Sequence, residues 1–147
     1  ECGINAPSGM NQQPWEVRVV DNADYINGIT EIYKKANPKA AEDPDFKNMF
    51  RNAPVVIFVA SPKNGSGQLD CGMLGENMML AALSLDLGTC CLGGPVRFMK
   101  SNEEAAPYLQ KLGFSEDYEL LYALAVGYSD EEPAPKPRNT EKVKFVD

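Results

Sequence analysis

Residues 6–15 read Ala6-Pro7-Ser8-Gly9-Met10-Asn11-Gln12-Gln13-Pro14-Trp15. Two prolines and a glycine forbid both a helix and a central strand there. Ser8, Asn11, Gln12 and Gln13 add hydroxyl and amide groups, which donate and accept hydrogen bonds without carrying charge. A loop so equipped suits a neutral, polar, planar ligand, or a sugar-like chain attached to one. The same residue types also make an ordinary turn that caps the next strand. Composition leaves both readings open.

Working outward, Trp15 to Val20 is an aromatic and β-branched run of strand type. Asp21 and Asn22 end it and supply a helix cap. Tyr25, Ile26, Ile29, Ile32 and Tyr33 recur at helical spacing, which predicts an amphipathic helix over Ala23 to Ala36 ended by Asn37-Pro38. Lys39 to Asp45 reads as a surface loop, and Phe46, Met49 and Phe50 as a short helix stopping before Pro54. Val55 to Ala60 is continuously apolar, the pattern of a strand covered on both faces. Ser61 to Gly67 is turn-rich.

Asp70 to Leu87 gives the strongest helical signal, with Asp70 as N-cap and Gly88 as left-handed stop. Apolar residues circle most of it, interrupted by Glu76, Asn77, Ser84 and Asp86, so it is no membrane span. A helix apolar nearly all round is buried on more than one side, as a central core helix or against a second chain. Gly88-Thr89-Cys90-Cys91-Leu92-Gly93-Gly94-Pro95 follows. Its glycines let a backbone approach a flat ligand, or make a short buried strand and a turn. Ser101-Asn102-Glu103-Glu104 is a capping box opening a helix to Leu112, with Gly113 as its stop. Pro107 implies a delayed start or a kink. Glu119 to Tyr128 reads as a central strand. From Ser129 the chain becomes a stiff arm carrying Pro133, Pro135 and Pro137, with Lys136 and Arg138 as its cations. Val143 to Val146 suits a short strand added to a partner's sheet edge, or a disordered tail.

The 147 residues amount to one domain. A net charge of −7, from 14 basic and 21 acidic residues, argues against general nucleic-acid binding. The absence of histidine excludes His-based triads and His metal sites. Cys2, Cys71, Cys90 and Cys91 form no C-x-x-C motif, so they read as reduced thiols of a cytoplasmic protein. No export signal or membrane span is visible. The start at Glu1 points to an upstream piece removed, and a cleaved export signal would leave the same start.

The order Ala6 to Trp15 followed by Glu16-Val17-Arg18-Val19-Val20 resembles the signature of the nitroreductase family. Gly88 to Pro95 after a long apolar helix is similar to the same family, as is Val126-Gly127-Tyr128 followed by Pro133 to Arg138. The resemblance implies an α+β fold: a three-layer α/β/α arrangement with a mixed, mostly antiparallel sheet, in an intertwined homodimer. It implies one domain over residues 1–147, with 129–147 as an arm reaching the partner subunit. It also implies FMN as cofactor. Pro7, Ser8, Gly9, Asn11 and Gln13 would reach it across the dimer interface, with Ser8 and Asn11 near the ribityl and ring polar atoms. A main-chain N–H near Leu92, Gly93 or Gly94 would donate to flavin N5, and Lys136 and Arg138 would face the phosphate. The family often has an acidic residue in the glycine turn, where this chain has none. It also carries an Arg/Ser-rich phosphate-gripping segment upstream of the front loop, outside these residues.

The implied chemistry is ping-pong hydride transfer from NADH or NADPH to FMN and on to a small-molecule acceptor, a nitroaromatic or a quinone. The flavin does the redox work, and no side chain is assigned as a catalyst. Two other readings are a flavin-binding or flavin-modifying relative without reductase turnover, and a cofactor-less dimeric interaction module.

Overall fold

The computed structural model describes residues 1–65 and 67–146. Ser66, inside the expected 61–67 turn, and Asp147 lie outside the described residues. Four strands, β1 (Glu16–Val20), β2 (Val55–Pro62), β3 (Gly88–Leu92) and β4 (Tyr118–Gly127), form one sheet in the order β1-β2-β4-β3. Every pairing among the described residues is antiparallel, in keeping with the mostly antiparallel sheet expected. The helices are α1 (Ala23–Ala36), α2 (Pro38–Glu42), α3 (Gln68–Leu83), α4 (Gly94–Ser101) and α5 (Ala106–Lys111).

Alternation along β2 divides the core between two faces. Val56 and Phe58 pack with Tyr25, Ile26 and Ile29 of α1 and with Val96 and Met99 of α4. Ile57 and Val59 turn the other way and meet Cys71 and Leu74 of α3. The expected three layers are present: α1, α4 and α5 on one side of the sheet, α3 on the other.

The α1 boundaries match the sequence pattern, and Asn22 caps it by accepting the Tyr25 N–H at 2.8 Å. Other boundaries move. The apolar run does not carry α3 to Leu87. Its N-cap is Gly67 and not Asp70, and it stops at Leu83 because the chain turns through Ser84 to Asp86, which is left-handed (φ 56°). Gly88 therefore begins β3 and does not end the helix. Ser101 closes α4, and the side chain capping the next turn is Asn102, which accepts from the Ala105 N–H. Pro107 enters the first turn of α5, so of the two alternatives, a delayed start or a kink, the helix takes the delayed start, and left-handed Gly113 (φ 62°) follows that helix. Part of the expected 39–45 loop is α2. Residues 46–50 are irregular, with a turn at 49–50, instead of a helix, and 143–146 are not a strand.

Candidate functional site

The strand register sends β1 out from, and β3 toward, the same end of the sheet. Glu16 pairs with Ala60 near the end of β2, and β3 runs from Gly88, paired with Gly127 at the end of β4, to Leu92, paired with Ala123 near its middle. The loop before β1 and the glycines after β3 thus leave toward one end, at opposite edges. Three inter-strand steps separate those edges by about 14 Å.

The front loop has an unusual backbone. Met10 (φ 51°), Asn11 (φ 55°) and Gln13 (φ 51°) are all left-handed without being glycine. Such positions cost about 1 kcal/mol or more each and persist only where other interactions fix them. Here the Ser8 Oγ accepts the Gln13 N–H at 3.0 Å, and the Gln13 Nε2 donates to Asn11 Oδ1 at 3.1 Å. The Gly9 N–H donates to Asp70 Oδ2 on α3 at 3.2 Å. Pro7, Gly9, Asn11 and Gln13 are exposed and Ser8 is half-buried, so the loop presents its polar groups to the surface.

At the other edge, Leu92, Gly93 and Gly94 form one wall of a cleft of about 550 Å³. Gly93 is the N-cap of α4 and no side chain caps that end. A Cβ built on Gly93 or on Gly94 would meet no atom within 4 Å. The main chain is bare on the side where a flat molecule could lie. The opposite wall brings Tyr33 from α1 together with Phe46, Asn48 and Arg51. The Tyr33 and Phe46 rings stack at 5.8 Å and 22°.

The sequence reading missed this second wall. Segment 43–53 is shaped by two asparagines. Asn52 Oδ1 accepts the Lys47 and Asn48 N–H groups, while Asn48 Nδ2 donates to the Ala53 carbonyl at 3.1 Å. Arg51 and Asn52 are left-handed, and the Met49 N–H reaches Thr30 Oγ1 on α1. Two asparagines shortly before Pro54 were the available signal, since Asn favours turns and left-handed backbone.

Lys136 and Arg138 stand apart from both places. The tail is exposed throughout 128–146, and Arg138 Nη1 donates to the Lys136 carbonyl at 2.6 Å. Within one chain the expected contacts therefore fall into three groups: front loop, glycine turn and tail. No front-loop or tail residue lines the 550 Å³ cleft.

Two of the thiols, Cys71 and Cys91, are held above the ordinary thiol range. Burial pushes Cys71 up to about 11, with Asp70 adding to the effect. Burial and the neighbouring Cys90 also raise Cys91. Among the described residues no group of His, Cys, Asp or Glu could hold a metal ion, and no helix is long and apolar enough to cross a membrane.

An antiparallel sheet with helices packed on both faces defines an α+β fold. A sequence profile of the nitroreductase family matches residues 1–128, and the chain belongs to that family. A protein of Archaeoglobus fulgidus, provisionally named NADH dehydrogenase/NAD(P)H nitroreductase, is 29% identical over 139 residues, covering 90% of this chain and 71% of its own length. The NADPH-flavin oxidoreductase of Vibrio harveyi is 33% identical over 72 residues, covering 49% of this chain and 28% of its own. Among solved structures, a nitroreductase with bound FMN from Desulfitobacterium hafniense superposes with a TM-score of 0.82 at 26% identity. That match covers 99% of this chain and 82% of the other. An FMN-bound nitroreductase from Bacteroides fragilis gives 0.78 at 25% identity, over 99% and 83%.

Proposed function

We propose that two copies of this chain form an FMN-dependent oxidoreductase that takes hydride from NADH or NADPH and reduces a small aromatic acceptor, a nitro compound or a quinone, in ping-pong fashion. The observation that carries this reading is the open space beside Gly93 and Gly94 in a cleft large enough for a tricyclic ring. The bare turn and the aromatic wall of Tyr33 and Phe46 fit a flat, mostly apolar guest with polar edges.

FMN, when bound, supplies the acceptor and donor of hydride. The chain's own groups position it. Leu92, Gly93 and Gly94 would offer main chain to the ring, next to the first turn of α4. The positive end of that helix favours negative charge nearby. Pro7, Ser8, Gly9, Asn11 and Gln13 of the second copy would close the site from across the interface. This accounts for why front loop and glycine turn lie at opposite sheet edges in one chain. Lys136 and Arg138 would meet the phosphate, where the planar guanidinium binds two oxygens at once. No histidine is present, and no side chain is assigned as an acid or base. A second copy is supported by Leu80 and Leu83, large apolar side chains left exposed on α3.

The test is an absorbance spectrum of purified protein before and after anaerobic NADH or NADPH. Stoichiometric flavin bands that bleach within seconds support the reading. Colourless protein that takes up no added FMN overturns it, and flavin that never bleaches removes the reductase activity.

A further inference from the structure

Asp70 and Cys71 are neighbours in the first turn of α3 and take no part in the chemistry above. Each touches one end of the same short loop. The Asp70 carboxylate, nine-tenths buried, accepts the Gly9 N–H at 3.2 Å. The fully buried Cys71 thiol points at the Pro14 carbonyl at 3.4 Å and the Ala60 carbonyl at 3.8 Å. The turn that carries them is itself fixed to the sheet, because the Tyr122 hydroxyl donates to the Cys71 carbonyl at 2.6 Å. Between the two anchor points lie the three left-handed non-glycine residues Met10, Asn11 and Gln13.

Packing cannot hold that conformation. Residues 9–13 are exposed, and burial resumes only at Pro14. What remains is hydrogen bonding: two side-chain bonds inside the loop, the local main-chain bonds from Asn11 N–H to the Ser8 carbonyl, Gln12 N–H to the Gly9 carbonyl and Trp15 N–H to the Gln13 carbonyl, and one attachment to α3 at each end. A strained, exposed segment tied at both ends to a rigid helix is a preorganised surface, and preorganisation lowers the cost of binding.

We propose that Asp70 and Cys71 are positioning residues, a two-point clamp by which α3 presets Ser8, Asn11 and Gln13 for their ligand. The identity of the ligand as FMN rests on the reading above, while the clamp itself does not. Asp70 carries most of the effect, because its carboxylate makes a charge-assisted bond. The thiol is a weak donor.

The experiment pairs amide hydrogen exchange over residues 9–13 with FMN titration of the full chain. The variants are Asp70→Ala, Asp70→Asn and Cys71→Ala. Ile29→Val, a core truncation on the other face of the sheet, controls for lost stability. Asp70→Ala speeds exchange of the loop amides about tenfold or more and weakens FMN binding by a similar factor. Asp70→Asn, which keeps an acceptor oxygen, recovers most of both. Cys71→Ala gives a smaller rise, and Ile29→Val lowers the melting temperature while moving neither readout. Loop exchange in Asp70→Ala equal to wild type overturns the clamp. So does an affinity loss that Ile29→Val reproduces at equal loss of melting temperature. A wild-type chain that binds no FMN overturns the cofactor reading alone, since exchange still decides the clamp.

Discussion

The two faces of the sheet are cut from the same alternating strands and end up in different states. Under α1 and α4, Ile29, Phe50, Val56, Phe58 and Met99 are all fully buried, and Phe58 meets Tyr25 and Phe50 edge-on at 6.2 and 5.7 Å. Under α3 the buried cluster is smaller, Ala6, Val59, Cys71 and Leu74. Leu69, Leu80 and Leu83 of α3 stay exposed, as does Val19 on β1. The first face is finished within one chain. The second carries apolar area that one chain cannot cover, and the preset loop sits at its end. Packing within the chain is concentrated on the first face, and the uncovered apolar area on the second is where the proposed second copy would dock.

The largest effect should come from the finished face. Phe58→Ala removes a fully buried ring from its aromatic contacts. It should cost about 3–5 kcal/mol, a large share of the roughly 5–15 kcal/mol available to a domain. Urea unfolding followed by far-UV circular dichroism measures it. A loss below about 1 kcal/mol would mean that the aromatic cluster does not carry the fold.

On the unfinished face a charge should act differently. Leu80→Glu with Leu83→Glu changes two exposed side chains, so the folded chain keeps its circular dichroism and most of its stability. In a pair related by two-fold symmetry the same change sets four carboxylates against one another in an apolar interface. Light scattering should show dimer mass for wild type and monomer mass for the variant, with flavin lost alongside. A wild-type monomer, or an unchanged dimer in the variant, would break the contrast between the faces.

Arg138→Ala probes the ligand without touching either face, because the tail is exposed throughout. Losing a charge-assisted contact worth about 1.5–3 kcal/mol should raise the FMN dissociation constant roughly ten- to hundredfold while the dimer persists. Unchanged uptake would refute the phosphate assignment.

Much of the first face was legible in the sequence, because amphipathic periodicity and continuous strand runs report burial directly. Ala23 to Ala36, with Asn22 before it, is the example. What escaped was set by side chains acting on backbone. Asn48 and Asn52 shape the aromatic wall of the cleft through bonds to main chain, where hydrophobic spacing alone suggested a helix. Pro95 just after two glycines read as the end of a turn, whereas it opens α4, because proline at the first helical positions loses no hydrogen bond. Asp70 looked like an N-cap by residue type, yet its partner is Gly9, 61 residues away. In the site, the residue types of the front loop were visible and its left-handed backbone was not, since Met and Gln rarely adopt it.

The smallest expected effect lies on the rim of the finished face, and its sign tests whether that rim contributes at all. Glu16 accepts from Arg18 at 2.9 Å and from the Ser115 N–H at 3.3 Å, while Arg18 also donates to the Leu112 and Gly113 carbonyls after α5. Partial burial pushes the Glu16 carboxyl up, but the Ser115 hydroxyl and N–H together with Arg18 outweigh it and hold it below its ordinary value of 4.5. A carboxyl depressed in the folded state lends stability that is fully present above 4.5 and lost as the pH falls through the lower, folded value. Glu16→Gln cannot titrate. It should therefore be less stable than wild type at pH 7 by under about 1 kcal/mol, and the two melting curves should converge as the pH drops below about 4. A difference that stays constant from pH 7 down to pH 3 would assign the effect to shape and leave the charge with no part in it.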